Sequence, residues 1–457
     1  YGMYLLGWQA LGRRDLAFVA GLIYSFSAYH GMRGLHHLSL ATIQWLPLAL
    51  AAAISCWRKP GPRRAVAAGV TAALVALSSP YYAAYFLLPA ALAGSVYVAL
   101  WRRQALRRPA LWRAAALALS SALLLALPFY ATLVLTEPDV QQAARQAAAA
   151  ASVYAADVLS WLLPPRDNPL WRPLLAPIYA KLTAGYLVET ALFFGFLPLA
   201  LSLAALVLVT RNRTFRGSRS PANSPSRFPI SMAPLPLSGR GFWRLLFILA
   251  LLLSFGPVLR LWQEPLVQWM PYRLFMALPG AYAFRAPARA GLTAILAGAL
   301  LALAMVKLGM ARRPAWPWRP FLVAWSALLM VNMLVAFPYP TANATLPAAY
   351  EPIVAAAGRG AVLDLPAGEH FQQRMAWAMA YQTWHQKPLV SGYLGRRPER
   401  LQTPEQSLPF VRRFFRQDWD AYFAGRWQDL VQWPPAVEVL AGAWPDDIRH
   451  ARSLLAE

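Results

Sequence analysis

Ten apolar stretches recur along the first 337 residues, near 1–11, 16–30, 38–56, 65–79, 81–100, 111–135, 186–210, 242–260, 288–308 and 320–337. A soluble core cannot bury so many runs, whereas a bilayer core about 30 Å thick calls for about 20 apolar residues per helix. The pattern predicts an all-α polytopic transmembrane bundle with about ten membrane segments, the shorter runs being lengthened by flanking Ser, Tyr and Trp or re-entering the same face. Charged residues make up only 14% of the chain, against about a quarter in soluble domains.

The net charge of +24 raises the question of nucleic acid, and its distribution answers it. Residues 338–457 hold 12 Lys/Arg and 12 Asp/Glu, whereas residues 1–337 hold 31 and 7. The excess therefore sits between apolar runs, the mark of membrane orientation and not of a phosphate-binding face. Alternate loops (Arg13–Arg14, Arg58–Arg64, Arg102–Arg113, Arg211–Arg244 and Lys307–Arg319) carry 22 basic residues and one acid, Asp15, against 9 basic residues in the opposite set. This bias predicts a multi-pass protein of the cell membrane with the first set cytoplasmic. The segment near 211–241, rich in Ser, Pro, Gly and Arg, reads as a disordered cytoplasmic linker. The outer segments 136–185 and 261–287, with Trp, Leu and Pro, are expected at headgroup depth.

From residue 338 the pattern turns soluble. Ala361–Pro366 reads as a short strand and 370–385 as a helix, giving a small extracytoplasmic α/β domain over 338–457 that is cut short, beside a membrane domain over 1–337. Cys56, the single cysteine, excludes an intramolecular disulfide.

No Walker loop, GxGxxG, HExxH, GxSxG or CxxC occurs. The candidates are polar residues where polarity costs free energy. Arg285 and Arg289 flank Pro287 at the start of an apolar run. Spacing i, i+4 would set both guanidinium groups on one helix face as a phosphate clamp, the alternative being two arginines reaching for headgroups. His36 and His37 stand at another outer boundary, suited to interfacial packing or to proton transfer. Tyr81 and Tyr82 mark an outer turn or aromatic belt. Glu137, Asp139, Asp157 and Glu189 are the outer carboxylates, with Asp157 and Glu189 the candidates for a base or for holding a divalent cation.

The runs Tyr4-Leu5-Leu6, Ala20 to Tyr29, His37-Leu38 and Trp45-Leu46-Pro47-Leu48 resemble the early helices of large bacterial GT-C membrane glycosyltransferases. The group includes enzymes thought to decorate lipoteichoic acid and related envelope polymers. Leu278-Pro279-Gly280, Phe284 to Arg289, Val362 to Pro366, and His385 to Val390 with Gly392-Tyr393 extend the likeness. The resemblance implies a GT-C fold and a polyprenyl-phosphate sugar donor, bound through its phosphate by Arg285 and Arg289. The implied acceptor is an envelope glycan, and a divalent cation is a further expectation. In that superfamily the catalytic Asp or Glu usually lies in the first outer loop. Residues 1–11, which do not open on Met, match the end of the second helix, so the chain is expected to be a fragment without that loop and inactive alone. Two other readings use the same features: a transporter or flippase for a lipid-linked glycan, and a non-catalytic envelope scaffold. The expected partners are membrane lipids, the lipid-linked donor and the acceptor polymer, with no nucleic acid.

Overall fold

The structure is a computed structural model that describes residues 1–136, 151–182, 189–208, 240–278, 281, 284–336, 341, 345–355, 362 and 372–389. The chain divides into two compact units, Tyr1–Pro340 and Thr341–Glu457.

The first unit is mostly helical. Its elements are α1 (Gly2–Leu11), α2 (Arg14–Ser25), α3 (Ala28–His36), α4 (Trp45–Arg58), α5 (Pro62–Ser78), α6 (Pro80–Tyr82), α7 (Leu88–Trp101) and α8 (Pro109–Thr136). They continue with α9 (Arg172–Lys181), α10 (Phe196–Leu208), α11 (Arg240–Ser254), α12 (Tyr272–Met276), α13 (Gly291–Arg312) and α14 (Trp318–Asn332). Each of the ten apolar stretches contains helix, although 189–195 and the ends of the stretches near 242–260 and 320–337 lie outside it. Four helical stretches are long and apolar enough to cross a membrane: Leu38–Arg58, Pro80–Trp101, Pro109–Ala131 and Pro287–Arg312. The others are shorter, α5 having 17 residues and α11 having 15. The stretch read as 16–30 is two helices, because the chain breaks at Phe26-Ser27 and the Ala28 N–H donates to the Phe193 carbonyl at 3.0 Å.

Proline sets several of the starts. Pro62, Pro80, Pro109 and Pro287 each open a helical stretch, where the missing N–H would have had no intrahelical partner. Pro89, inside the first turn of α7, acts differently. It cannot donate to the carbonyl of Tyr85, four residues back, and residues Ala83–Leu87 widen into a π turn. The freed Tyr85 carbonyl accepts from the Thr293 hydroxyl of α13 at 2.8 Å. A backbone defect in one apolar helix is thus closed by a side chain of another.

Helix α13 is the axis of the bundle. Every residue from Gly291 to Leu303 is buried, packed by α1, α2, α10 and α11. Gly291 lies against Leu192 and Gly298 against Phe247, where a Cβ would come within 2.5 Å and 2.9 Å of their side chains. At the periphery α8 runs along α5 over small residues, with Ala65, Gly69 and Ala73 facing Ala114, Ala118 and Ser121. A Cβ on Gly69 would stand 2.3 Å from the Ala118 carbonyl oxygen, so only glycine lets these backbones approach. The other face of α8 exposes Leu119, Leu123, Leu124 and Leu127.

The two ends of α13 differ in what surrounds them. At its far end the Lys307 ammonium donates to the Leu11 carbonyl, and Arg58 donates to Gln9, so the basic ends of α1, α4 and α13 gather together. At the near end lie Arg289 and the segments described next.

Within the second unit, Val362 bridges Leu389 in parallel, and a helix, Gln372–His385, lies between them in sequence. The segment 211–239 of the expected linker, and most of the expected C-terminal domain, lie outside the described residues.

Candidate functional site

Three chain segments meet at the near end of α13. Helix α3 supplies Arg33, the segment before α10 supplies Glu189, and the 3-10 turn Pro287–Ala290 supplies Arg289. The break at Phe26-Ser27 turns α3 toward the 189–195 segment, and the Ala28–Phe193 bond fixes it there.

Glu189 is the centre of the cluster. Arg289 grips it with both edges of its fork, Nε to Oε2 at 3.0 Å and Nη2 to Oε1 at 2.7 Å. Arg33 Nη2 donates to Oε2 at 2.7 Å and to the Glu189 backbone carbonyl at 3.3 Å. His37 Nε2 stands 3.5 Å from Oε1. Burial is deep: Arg33 is 0% exposed, Glu189 9%, and Arg289 13%, while His37 is 40% exposed and forms the mouth. Aromatic faces back both guanidinium groups, Tyr81 under Arg289 at 4.0 Å and Tyr29 under Arg33 at 4.8 Å.

The electrostatics follow from this geometry. Burial disfavours a charged carboxylate, and the hydrogen bonds and charges of Arg289 and Arg33 compensate Glu189 for it. For His37, burial and the Arg33 charge lower the imidazole, and Glu189 only partly offsets them. Two cations share one carboxylate, so the cluster keeps a net positive charge. Arg33 Nε and Nη1, both buried, have no hydrogen-bond partner among the described residues.

A second layer holds Arg289 in place. The Tyr85 and Tyr272 hydroxyls are 2.9 Å apart, and both donate to the Phe284 carbonyl, at 2.7 and 2.8 Å. This pins the strand of chain entering Pro287. Ala286, just before that proline, is held at φ −122° and ψ 77°, outside the helical region. Arg285 consequently precedes the helical turn and does not share a helix face with Arg289. It is half-buried, with its Cζ 5.9 Å from the Tyr154 ring.

The remaining sequence candidates disperse. His36 ends α3 and is exposed. Tyr82 is buried and donates to the Leu40 carbonyl. Glu137 and Asp139 lie outside the described residues. Asp157 caps the 3-10 turn Val158–Trp161, accepting from Leu159 N at 2.8 Å. Its other oxygen accepts from Gln263 N at 2.8 Å. That second bond matters because Trp262 and Gln263, which join strands β1 (Leu259–Leu261) and β2 (Glu264–Val267), both adopt positive φ, 55° and 67°. Side-chain-bearing residues rarely adopt this conformation at both positions of a hairpin turn. Replacing Asp157 with alanine removes a cap and the pin on this turn, for an expected cost of about 1–3 kcal/mol in thermal unfolding. Asp157→Asn keeps one acceptor and should lose less. A base would behave oppositely, losing turnover at unchanged stability.

Beside the cluster lies a cavity of about 320 Å³, lined by Met32, Asp157, Arg166, Tyr179, Thr190 and Arg260 among others. Its size suits a small ligand, and two arginines line it. Among the described residues no three His, Cys, Asp or Glu side chains converge as metal ligands.

Arg33 escaped sequence reasoning, although one signal was present: it is one of the few basic residues in the loops that lack the basic bias. Asn168 also escaped it. Its buried amide donates to the Val331, Asn332 and Leu334 carbonyls and so ties the 168–171 turn to the end of α14.

Comparison of the chain with models of known protein families, with curated proteins and with solved structures returned no match.

Proposed function

We propose that this chain is the membrane part of a GT-C-type glycosyltransferase that uses a polyprenyl-phosphate sugar donor and a cell-envelope glycan as acceptor. In this reading the bundle is a multi-pass protein of the cell membrane, with the Arg289 end of α13 outside and the Lys307 end in the cytoplasm. The observation that carries it is the net positive cluster at one end of apolar helices, with Arg33 and Arg289 on Glu189, Arg285 close by in sequence, and His37 at the mouth. An anion at membrane depth is the ligand such a cluster suits. A donor phosphate gains charge as its glycosidic bond breaks, so fixed cations there favour transfer.

The roles within the cluster differ. Arg289 is already held bidentate by Glu189, and serves as a wall of fixed charge. Arg285, which makes no ion pair among the described residues, is the group proposed to grip the phosphate directly. Glu189 and Asp157 act as positioning groups, since one is held by two arginines and the other caps a turn.

Binding separates this reading from the scaffold alternative without requiring turnover. Polyprenyl phosphate is titrated into the chain in nanodiscs, followed by tryptophan fluorescence. Arg285→Ala should weaken binding about ten- to a hundredfold, the loss of a charge-assisted hydrogen bond, and Arg285→Lys should weaken it less. Thermal stability should barely move in either variant. Unchanged affinity in Arg285→Ala would leave that arginine as a headgroup anchor and remove the main support for a donor site.

A further inference from the structure

A cavity larger than the one beside Glu189 lies elsewhere, at the basic end. Helix α8 lies along α5, and α7 lies along α11, so consecutive helices α7 and α8 part and leave a gap of about 1310 Å³. Its walls are apolar faces of α4, α5, α7, α8 and α11. It runs from Phe86 to Arg103, about 25 Å at 1.5 Å per residue, which is most of the depth of a hydrocarbon core. One end is ringed by Arg58, Arg102, Arg103 and Arg108, and among the described residues no carboxylate lines the cavity. The chain has no Asp or Glu anywhere between Asp15 and Glu137.

We propose that this gap is a binding site for an anionic glycerophospholipid of the surrounding bilayer, acyl chains between α7 and α8 and phosphate among the four arginines. The proposal rests on the membrane reading above but not on glycosyl transfer. The volume exceeds that of ordinary small-molecule pockets and suits long chains. The Ala99 carbonyl that Arg103 touches is a neutral acceptor that orients the fork without cancelling its charge. A zwitterionic lipid would bring its own ammonium into that ring, whereas an anionic headgroup brings only the complementary charge. The site is also distinct from the Arg285 region. Arg289 and Lys307 are 18 residues apart on the α13 stretch, about 27 Å, with the basic ends of α1 and α4 beside Lys307.

Gly94 supplies a clean probe. It lines the gap, and a Cβ there would meet only Phe242, at 3.9 Å. Gly94→Leu sets an apolar side chain in the gap and removes a helix-weakening glycine. The experiment is flotation with vesicles, then native mass spectrometry of the chain released from nanodiscs of equal phosphatidylglycerol and phosphatidylcholine. The unaltered chain should retain phosphatidylglycerol about tenfold over phosphatidylcholine, because only the anionic headgroup brings uncompensated negative charge to the arginines. Arg103→Gln with Arg108→Gln should reduce the preference severalfold while still retaining lipid, and Gly94→Leu should cut retention of both lipids at undiminished thermal stability. Arg285→Ala should change neither. Equal retention of the two lipids, full retention in Gly94→Leu, or loss of the preference to millimolar inorganic phosphate overturns the site alone. A chain that fails to float with vesicles overturns the membrane reading and this site together.

Discussion

Glu189→Ala is expected to lose about 3–5 kcal/mol of stability, enough to unfold many domains outright, because it leaves two buried guanidinium groups facing one another. The cost comes from the orphaned charges and not from the value of the ion pair itself. A triple replacement, Arg33→Leu, Glu189→Leu and Arg289→Leu, should therefore recover much of what the single change loses. Both comparisons are read from thermal melts in one detergent. A melting temperature for Glu189→Ala within a degree or two of the parent would mean that the cluster does not hold the bundle.

Gly69→Ile is the second large effect. Its side chain would have to occupy space held by the Ala118 carbonyl and the Ser121 Cβ, at 2.3 and 2.7 Å. A backbone oxygen cannot rotate aside as a side chain can, so α8 must leave α5. Overpacking typically costs about 1–3 kcal/mol, and here the upper end or more is expected because the contact is backbone. Gly94→Ala is the control, a helical glycine facing open space, where alanine should be neutral or stabilising by up to about 1 kcal/mol. Proteolysis in the loop before Pro109 should accelerate in Gly69→Ile and stay slow in Gly94→Ala. Equal resistance in both would show that α8 does not depend on this seam.

The helices themselves were legible because apolar runs speak for themselves locally. What lay beyond reach was contact at long range. The split of 16–30 into α2 and α3 depends on a bond from Ala28 to Phe193, which no local pattern announces. Arg33 and Glu189 are 156 residues apart, and Glu189 drew notice only as a carboxylate heading an apolar run. The expected face shared by Arg285 and Arg289 is a different case. Pro287 was read as a helix start, and the same rule excludes Ala286 from helix and leaves Arg285 outside it. The signal was in the sequence, but only half of it was used. Asp157 as a hinge between the capped turn and the strained hairpin needed Gln263, 106 residues away, to be seen.

The spacing of the charged cluster along the chain also has a temporal side. Arg33 is made 256 residues before Arg289, which at about 5–20 residues per second is a delay of roughly 13–50 s. For the first 156 residues of that interval Arg33 has no Glu189 to meet; once Glu189 is made the two charges balance, and Arg289 arrives last as the second cation. A chain that stops short of residue 189 therefore holds Arg33 without its carboxylate, and one that stops between 189 and 289 lacks α13, the helix about which α1, α2, α10 and α11 pack.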